Sequence, residues 1–151
     1  MGVPPRVVVD ADFFVSYLRG DELADHAEEL LNMALEGKTS LFVSGEVYDD
    51  LITAYRTQGY ALEDVERVLS DLRAVPHQVV PISLEIVVSA LDLYSRFGGP
   101  RRLHYFDSFH VATASSVHLP LVTSDAFILE NAAALLVEAI DLRNTEWKLI
   151  E

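Results

Sequence analysis

Short unbroken apolar runs alternate along the chain with longer stretches whose apolar residues recur every three or four positions. The runs at 6–9, 41–43, 79–82 and 121–123, with a last one at 136–139, predict strands. They are short and rich in β-branched residues, and they lack the alternation of a half-solvated strand. Between them the spacing predicts helices over 12–18, 21–36, 44–58, 62–74, 83–97, 105–117 and 126–135. In the second of these, Leu23, Ala27, Leu30, Leu31, Ala34 and Leu35 share a face, as do Val47, Tyr48, Leu51, Ile52 and Tyr55 in the third. Ser44 and Ser83 are read as helix caps, Gly37 and Gly59 as stops, and Pro76 as a break. Residues 98–102, two Gly, a Pro and two Arg, read as a basic, mobile loop.

Continuous apolar strands separated by helices imply a mainly parallel sheet of four to five strands covered on both faces, a three-layer α/β/α domain. In such sheets the ligand site lies beyond the carboxyl ends of the strands, near the point where the strand order reverses. The residues that follow each strand are therefore the ones to inspect.

Length and composition narrow this picture. At 151 residues, 50% hydrophobic and 23% charged, the chain has the size and make-up of one folded domain. No apolar run approaches the ~18 residues of a membrane span, and the first residues lack a secretory signal. A soluble protein of the cytoplasm is expected. Without cysteine there are no disulfides, thiolate metal sites or cysteine nucleophiles, so any metal is held by oxygen or imidazole. The net charge of −13 argues against a general nucleic-acid binder. It leaves room for a nuclease that meets phosphate through a divalent cation, and most of the carboxylates are expected simply to solvate helix surfaces.

Asp10 directly follows the first strand, and Asp125 comes two residues after Thr123. A single Asp in such a place is most simply a helix cap. Several converging on one edge cannot all stay ionised without a compensating cation, which points to a hard divalent ion, Mg²⁺ or Mn²⁺. Asp107 opens the helix over 105–117, whose small residues Ala112, Ala114 and Ser115 let it lie close to the sheet and bring that acid to the same edge. Glu46 and Asp50, four apart on one helix face, offer further carboxylates.

Taken together, the strand ending in Asp10-Ala11-Asp12, the helix after Ser44 with an acid one to two turns in, the segment 105–114 around Asp107, and Thr123-Ser124-Asp125 resemble the PIN-domain family. Within it, the small VapC-type ribonuclease toxins are most similar. The likeness covers almost all of residues 1–151 as a single PIN-like domain. It implies a metal-dependent endoribonuclease whose catalytic and metal-holding acids are Asp10, Asp50, Asp107 and Asp125. Asp50 stands where the family usually has Glu, and Glu46 is the alternative. Asp12, Thr123 and Ser124 would orient these ligands. One or two Mg²⁺ or Mn²⁺ ions would polarise the phosphodiester and lower the pKa of a water for in-line attack. The resemblance further implies an RNA substrate, a homodimer, and a small VapB-like antitoxin whose basic tail reaches the acids. Apolar residues on the helices over 21–58 would supply the remaining contacts.

Other signals carry less. Arg101, Arg102 and His104 precede Asp107 and could clamp an RNA backbone, or form a solvated basic loop. His110 and His118 read as packing or surface residues, and Tyr48, Tyr55, Tyr94, Phe97 and Trp147 as core or dimer contacts. A PIN module that binds RNA or protein without cutting is the alternative function, the Asp at position 50 being its main support. A haloacid-dehalogenase-like phosphatase shares the Asp10-Ala11-Asp12 motif, but needs a lysine after its second motif, and the only lysines are Lys38 and Lys148. A phosphoacceptor signalling domain fails in the same way.

Overall fold

A computed structural model describes residues 2–144; Trp147 and Lys148 lie outside the described residues. Five strands, β1 (Arg6–Val9), β2 (Ser40–Ser44), β3 (Gln78–Val80), β4 (Leu121–Thr123) and β5 (Ala139–Asp141), form one sheet in the order β3-β2-β1-β4-β5. Every pairing is parallel. The helices are α1 (Ala11–Arg19), α2 (Ala24–Leu35), α3 (Val47–Thr57), α4 (Leu62–Asp71), α5 (Leu84–Phe97), α6 (Tyr105–Ser116) and α7 (Ala126–Asn131). A 3-10 turn at Leu72–Ala74 continues α4.

The alternation of β1 divides the core. Val7 and Val9 point to one face, where they meet Phe13 and Phe14 of α1, Leu30 and Leu31 of α2 and Leu51 of α3. Val8 points to the other, against Ala90 of α5, Val111 and Ala114 of α6, and Ile128 of α7. Helices α1–α4 thus cover one side and α5–α7 the other, the expected three layers. The strand order reverses at β1, whose neighbours are β2 and β4. Chain leaving β1 and β4 therefore opens onto the same crevice. The register pairs Val9 with Val122, which sets Asp10 level with Thr123.

Several boundaries differ from the sequence reading. Ser44 closes β2 instead of capping α3; its hydroxyl accepts from the Glu46 N–H, and Glu46 occupies the cap position. Asp21 does not start α2 but makes a turn in which its carboxylate accepts from the Leu23 N–H, and the helix begins at Ala24. The last strand lies at Ala139–Asp141, not 136–139, because Leu136 takes a left-handed backbone (φ 58°) that no strand accommodates. His118 falls beyond the end of α6, exposed and also left-handed.

Residues 98–102 form a closed turn, tied by Leu103 N–H to the Phe97 carbonyl and Arg102 N–H to the Gly99 carbonyl, and anchored by the buried Leu103. Gly98 is required there because a Cβ would overlap the Tyr94 carbonyl and ring. Of the large apolar residues on the helices over 21–58, only Leu35 is substantially exposed among the described residues; α5 exposes four, Leu84, Val88, Leu91 and Tyr94, and Leu62, Val79, Tyr105 and Leu136 are exposed elsewhere. No helix among the described residues is long and apolar enough to cross a membrane.

Candidate metal centre

Asp10 leaves β1 and caps α1, its Oδ1 accepting from the Phe13 N–H at 3.3 Å. Its Oδ2 accepts a 2.6 Å hydrogen bond from the Thr123 hydroxyl at the end of β4. The same hydroxyl accepts from the Asp125 N–H at 3.1 Å, and Asp125 caps α7 through the Ile128 N–H. Each acid is thus a helix cap, as the simplest reading of either one has it, and Thr123 ties the two together. Among the described residues no side-chain hydrogen bond of Ser124 reaches the acids, and Asp12 stands at the rim with its surface exposed.

From the other side of the crevice, the first turn of α6 supplies Asp107 and α3 supplies Asp50. Ligand atoms of Asp50, Asp107 and His110 lie within 4.8 Å of one another, as do those of His104, Asp107 and Asp125. Asp107 belongs to both groups, so it is the hub of the cluster. Asp50, and not Glu46, is the acid of α3 found at ligand distance. Glu46 sits one turn earlier, where its carbonyl accepts the Asp50 N–H.

His110, which reads from the sequence as a packing or surface residue, belongs to this cluster. It is fully buried, and its Nε2 lies 2.8 Å from Asp50 Oδ2. Its Nδ1 has no hydrogen-bond partner among the described residues. Burial alone pushes this imidazole down, but the hydrogen bond and charge of Asp50, joined by Asp10 and Asp107, outweigh it and hold His110 above its ordinary value. The available sequence signal was its spacing of three from Asp107, which sets both residues on one helix face. His104, on the open side, approaches Asp107 Oδ2 at 3.2 Å.

The electrostatics of the acids follow from this crowding. Asp10 is pushed up to about 8 by burial first, then by Asp12 and Asp107, against the opposing pull of His110 and Thr123. Asp107 is pushed up to about 7 by burial, with Asp125, Asp12 and Asp50 adding to it and His110 opposing. Partial desolvation and the charge of Asp50 raise Asp12 as well. A set of carboxylates that resists ionisation near neutral pH, with one buried imidazole among them, fits a hard divalent cation, because oxygen ligands would discharge their repulsion onto it.

A cleft of about 600 Å³ opens onto Asp12, Asp50 and Asp107, walled by α3 and the first turn of α6. Arg101 and Arg102 are exposed and do not line this cleft, and among the described residues neither makes an ion pair with the acids; Arg102 reaches the Arg96 carbonyl and lies over the Phe127 ring.

Comparison with known proteins agrees with this architecture. A VapBC complex from Rickettsia felis bound to promoter DNA aligns over 90% of this chain and 98% of its own, at 13% identity and TM-score 0.64. A DNA-bound VapBC from Salmonella typhimurium aligns over 92% and 99%, at 16% identity and TM-score 0.64. A VapBC toxin–antitoxin member from Mycobacterium tuberculosis aligns over 91% and 99%, at 18% identity and TM-score 0.58. At these identities the likeness is one of fold. No curated protein matches the chain. The PIN domain model matches residues 7–134, from β1 through the strand-end acids to just past α7, and the chain therefore belongs to the PIN domain family.

Proposed function

We propose that this protein is a VapC-like toxin, an endoribonuclease that hydrolyses RNA phosphodiester bonds with Mg²⁺ or Mn²⁺. The observation that carries the reading is the cluster about Asp107, whose ligand atoms lie within 4.8 Å of those of Asp50 and His110 and of those of His104 and Asp125. Asp10, tied to Asp125 through Thr123, is near enough to repel Asp107, and burial with this crowding pushes Asp107 up to about 7 and Asp10 to about 8. Such acids are poised to exchange protons for a divalent ion at neutral pH.

In this reading these four carboxylates hold the cation, which when bound supplies Lewis-acid polarisation of a phosphodiester and offsets the charge that builds up on its oxygens. Thr123 keeps Asp10 turned toward the crevice, and His110 keeps Asp50 there. The cleft beside Asp107 is where an RNA strand would enter.

The toxin part of the reading is supported by the fold shared with VapBC complexes over nearly the whole chain. A net charge of −13 and a site of clustered Asp favour a basic, Arg-bearing antitoxin segment, since a guanidinium can pair bidentately with a carboxylate. The exposed row Leu84, Val88 and Leu91 on α5 offers apolar area for a homodimer.

The test is to incubate purified protein with labelled single-stranded RNA in Mg²⁺ or Mn²⁺, with an EDTA control. Cleavage that needs the ion supports the reading. Binding without cleavage in every ion identifies a non-catalytic module instead.

A further inference from the structure

The cleft does not end at the acids. Along α3 its wall is made by Asp50, Ala54, Thr57 and Gln58, residues spaced so that they share one face. Eight residues of helix carry that face about 12 Å beyond Asp50, well past the reach of one phosphate group. Opposite stand Tyr105 and Phe106 of α6, immediately before Asp107.

The groups on this extension are uncharged, planar or polar. Tyr105 is 45% exposed, yet steeply inclined ring contacts to Tyr94, Phe106 and Phe109 at 5.3–5.5 Å hold it in place. Across from it, Gln58 Oε1 accepts a 2.7 Å hydrogen bond from the Arg19 guanidinium. Because a guanidinium only donates, this contact fixes which end of the amide is oxygen and leaves the NH₂ group as a donor. Thr57 adds a hydroxyl that can donate or accept. Ala54, between Asp50 and Thr57 on this face, adds little bulk to the wall.

We propose that Tyr105, Phe106, Thr57 and Gln58 form a subsite for one unpaired nucleobase, next to the phosphodiester held at the acids; this rests on the reading of the protein as a ribonuclease. An unstacked base stacks on an exposed aromatic ring and is read along its edge by hydrogen bonds, the usual mode for single-stranded RNA. The Gln58 NH₂ group selects for a base whose edge presents a carbonyl oxygen or ring nitrogen. A basic peptide suits this part of the cleft poorly, because the carboxylates that would pair with it lie at the other end.

The experiment measures steady-state cleavage in Mn²⁺ of a single-stranded oligonucleotide carrying the wild-type cleavage site, and of versions lacking the base on either side of it. Removal of one of the two bases is expected to raise KM about tenfold, and Tyr105→Ala to raise it by a similar factor with kcat little changed. The two losses together are expected to be no larger than either alone. Gln58→Leu, at an exposed position that does not threaten folding, is expected to reduce discrimination among bases at that position. Additive losses, or a wild-type KM in Tyr105→Ala, overturn the subsite while leaving the nuclease intact. If a melt shows Tyr105→Ala unfolded, unchanged base discrimination in Gln58→Leu overturns it. Tyr105→Ala weakening an Arg-rich peptide, with its RNA kinetics untouched, makes the cleft a peptide groove and overturns it too. Absence of RNA cleavage by the wild-type protein removes the nuclease reading and the subsite together.

Discussion

His110 Nε2 lies 2.8 Å from Asp50 Oδ2, joining α6 to α3 across 60 residues of sequence. The imidazole is wholly buried, and its hydrogen bond holds the Asp50 carboxylate at the crevice. His110→Ala is expected to lower metal affinity and cleavage by about 10- to 100-fold, the usual cost of losing a group that orients a ligand. His110→Gln, whose amide nitrogen reaches a place similar to Nε2, is expected to keep more of both. Manganese titration followed by calorimetry checks the order; equal affinity in wild type and His110→Ala contradicts it.

The raised acids make the metal-free protein sensitive to pH. In the unfolded chain Asp10 and Asp107 titrate near 3.8, whereas in the fold they titrate at about 8 and about 7. Between these values the native state binds more protons than the unfolded state, so stability falls as pH rises from about 4 to 8. The raised His110 acts in the same direction. Thermal melts in EDTA are expected to drop steadily from pH 5.5 to 8.5. Mn²⁺ is expected to raise the melting temperature most at the alkaline end, and Asp10→Asn to flatten the profile. A melting temperature that climbs with pH in EDTA contradicts this.

Thr123 serves two acids with one hydroxyl, donating to Asp10 and accepting from the Asp125 N–H. Thr123→Val keeps the shape and removes both bonds in a buried place, so a loss of roughly 1–3 kcal/mol is expected from urea denaturation. Thr123→Ser is expected to restore most of it. A Val variant as stable as wild type shows that the hydroxyl is not what links the two strand ends.

How much of this was legible beforehand depended on whether a residue's surroundings repeat along the sequence. The runs at 6–9 and 121–123 were visible because strands buried on both faces are written as continuous apolar residues, and with them came the positions of Asp10 and Asp125. His110 was not. Residues Ser108 to Ala114 are all buried, so α6 carries no polar face from which to read a direction, and a polar residue inside it looks like packing. The last strand differs because Leu136 and Val137 look like strand residues, while the turn that sends Leu136 into solvent, closed by Leu136 N–H to the Ala133 carbonyl and Val137 N–H to the Ala132 carbonyl, has Leu and not the usual Gly at its left-handed position.

The choice between the two acids of α3 is open to direct comparison. Asp50 lies within ligand distance of Asp107 and His110, and Glu46 does not. Asp50→Asn is expected to lower cleavage by two orders of magnitude or more, and Glu46→Gln by less than about threefold, in line with the loss of a group that holds charge at a reacting phosphate. The reverse order moves the second acid back by one turn.

The central claim is that the acids around Asp107 form one metal-dependent site for cutting RNA. Asp107 is the member shared by both ligand groups, and Asn keeps its shape while removing the charge a cation needs. The most direct measurement compares RNA cleavage by wild type and Asp107→Asn in the same Mn²⁺ buffer, with melting curves in EDTA to show that both are folded. The expected result is a variant at least as stable as wild type, since a crowded carboxylate has been neutralised, with cleavage reduced to the EDTA background. A folded Asp107→Asn protein that cleaves RNA at the wild-type rate contradicts the account.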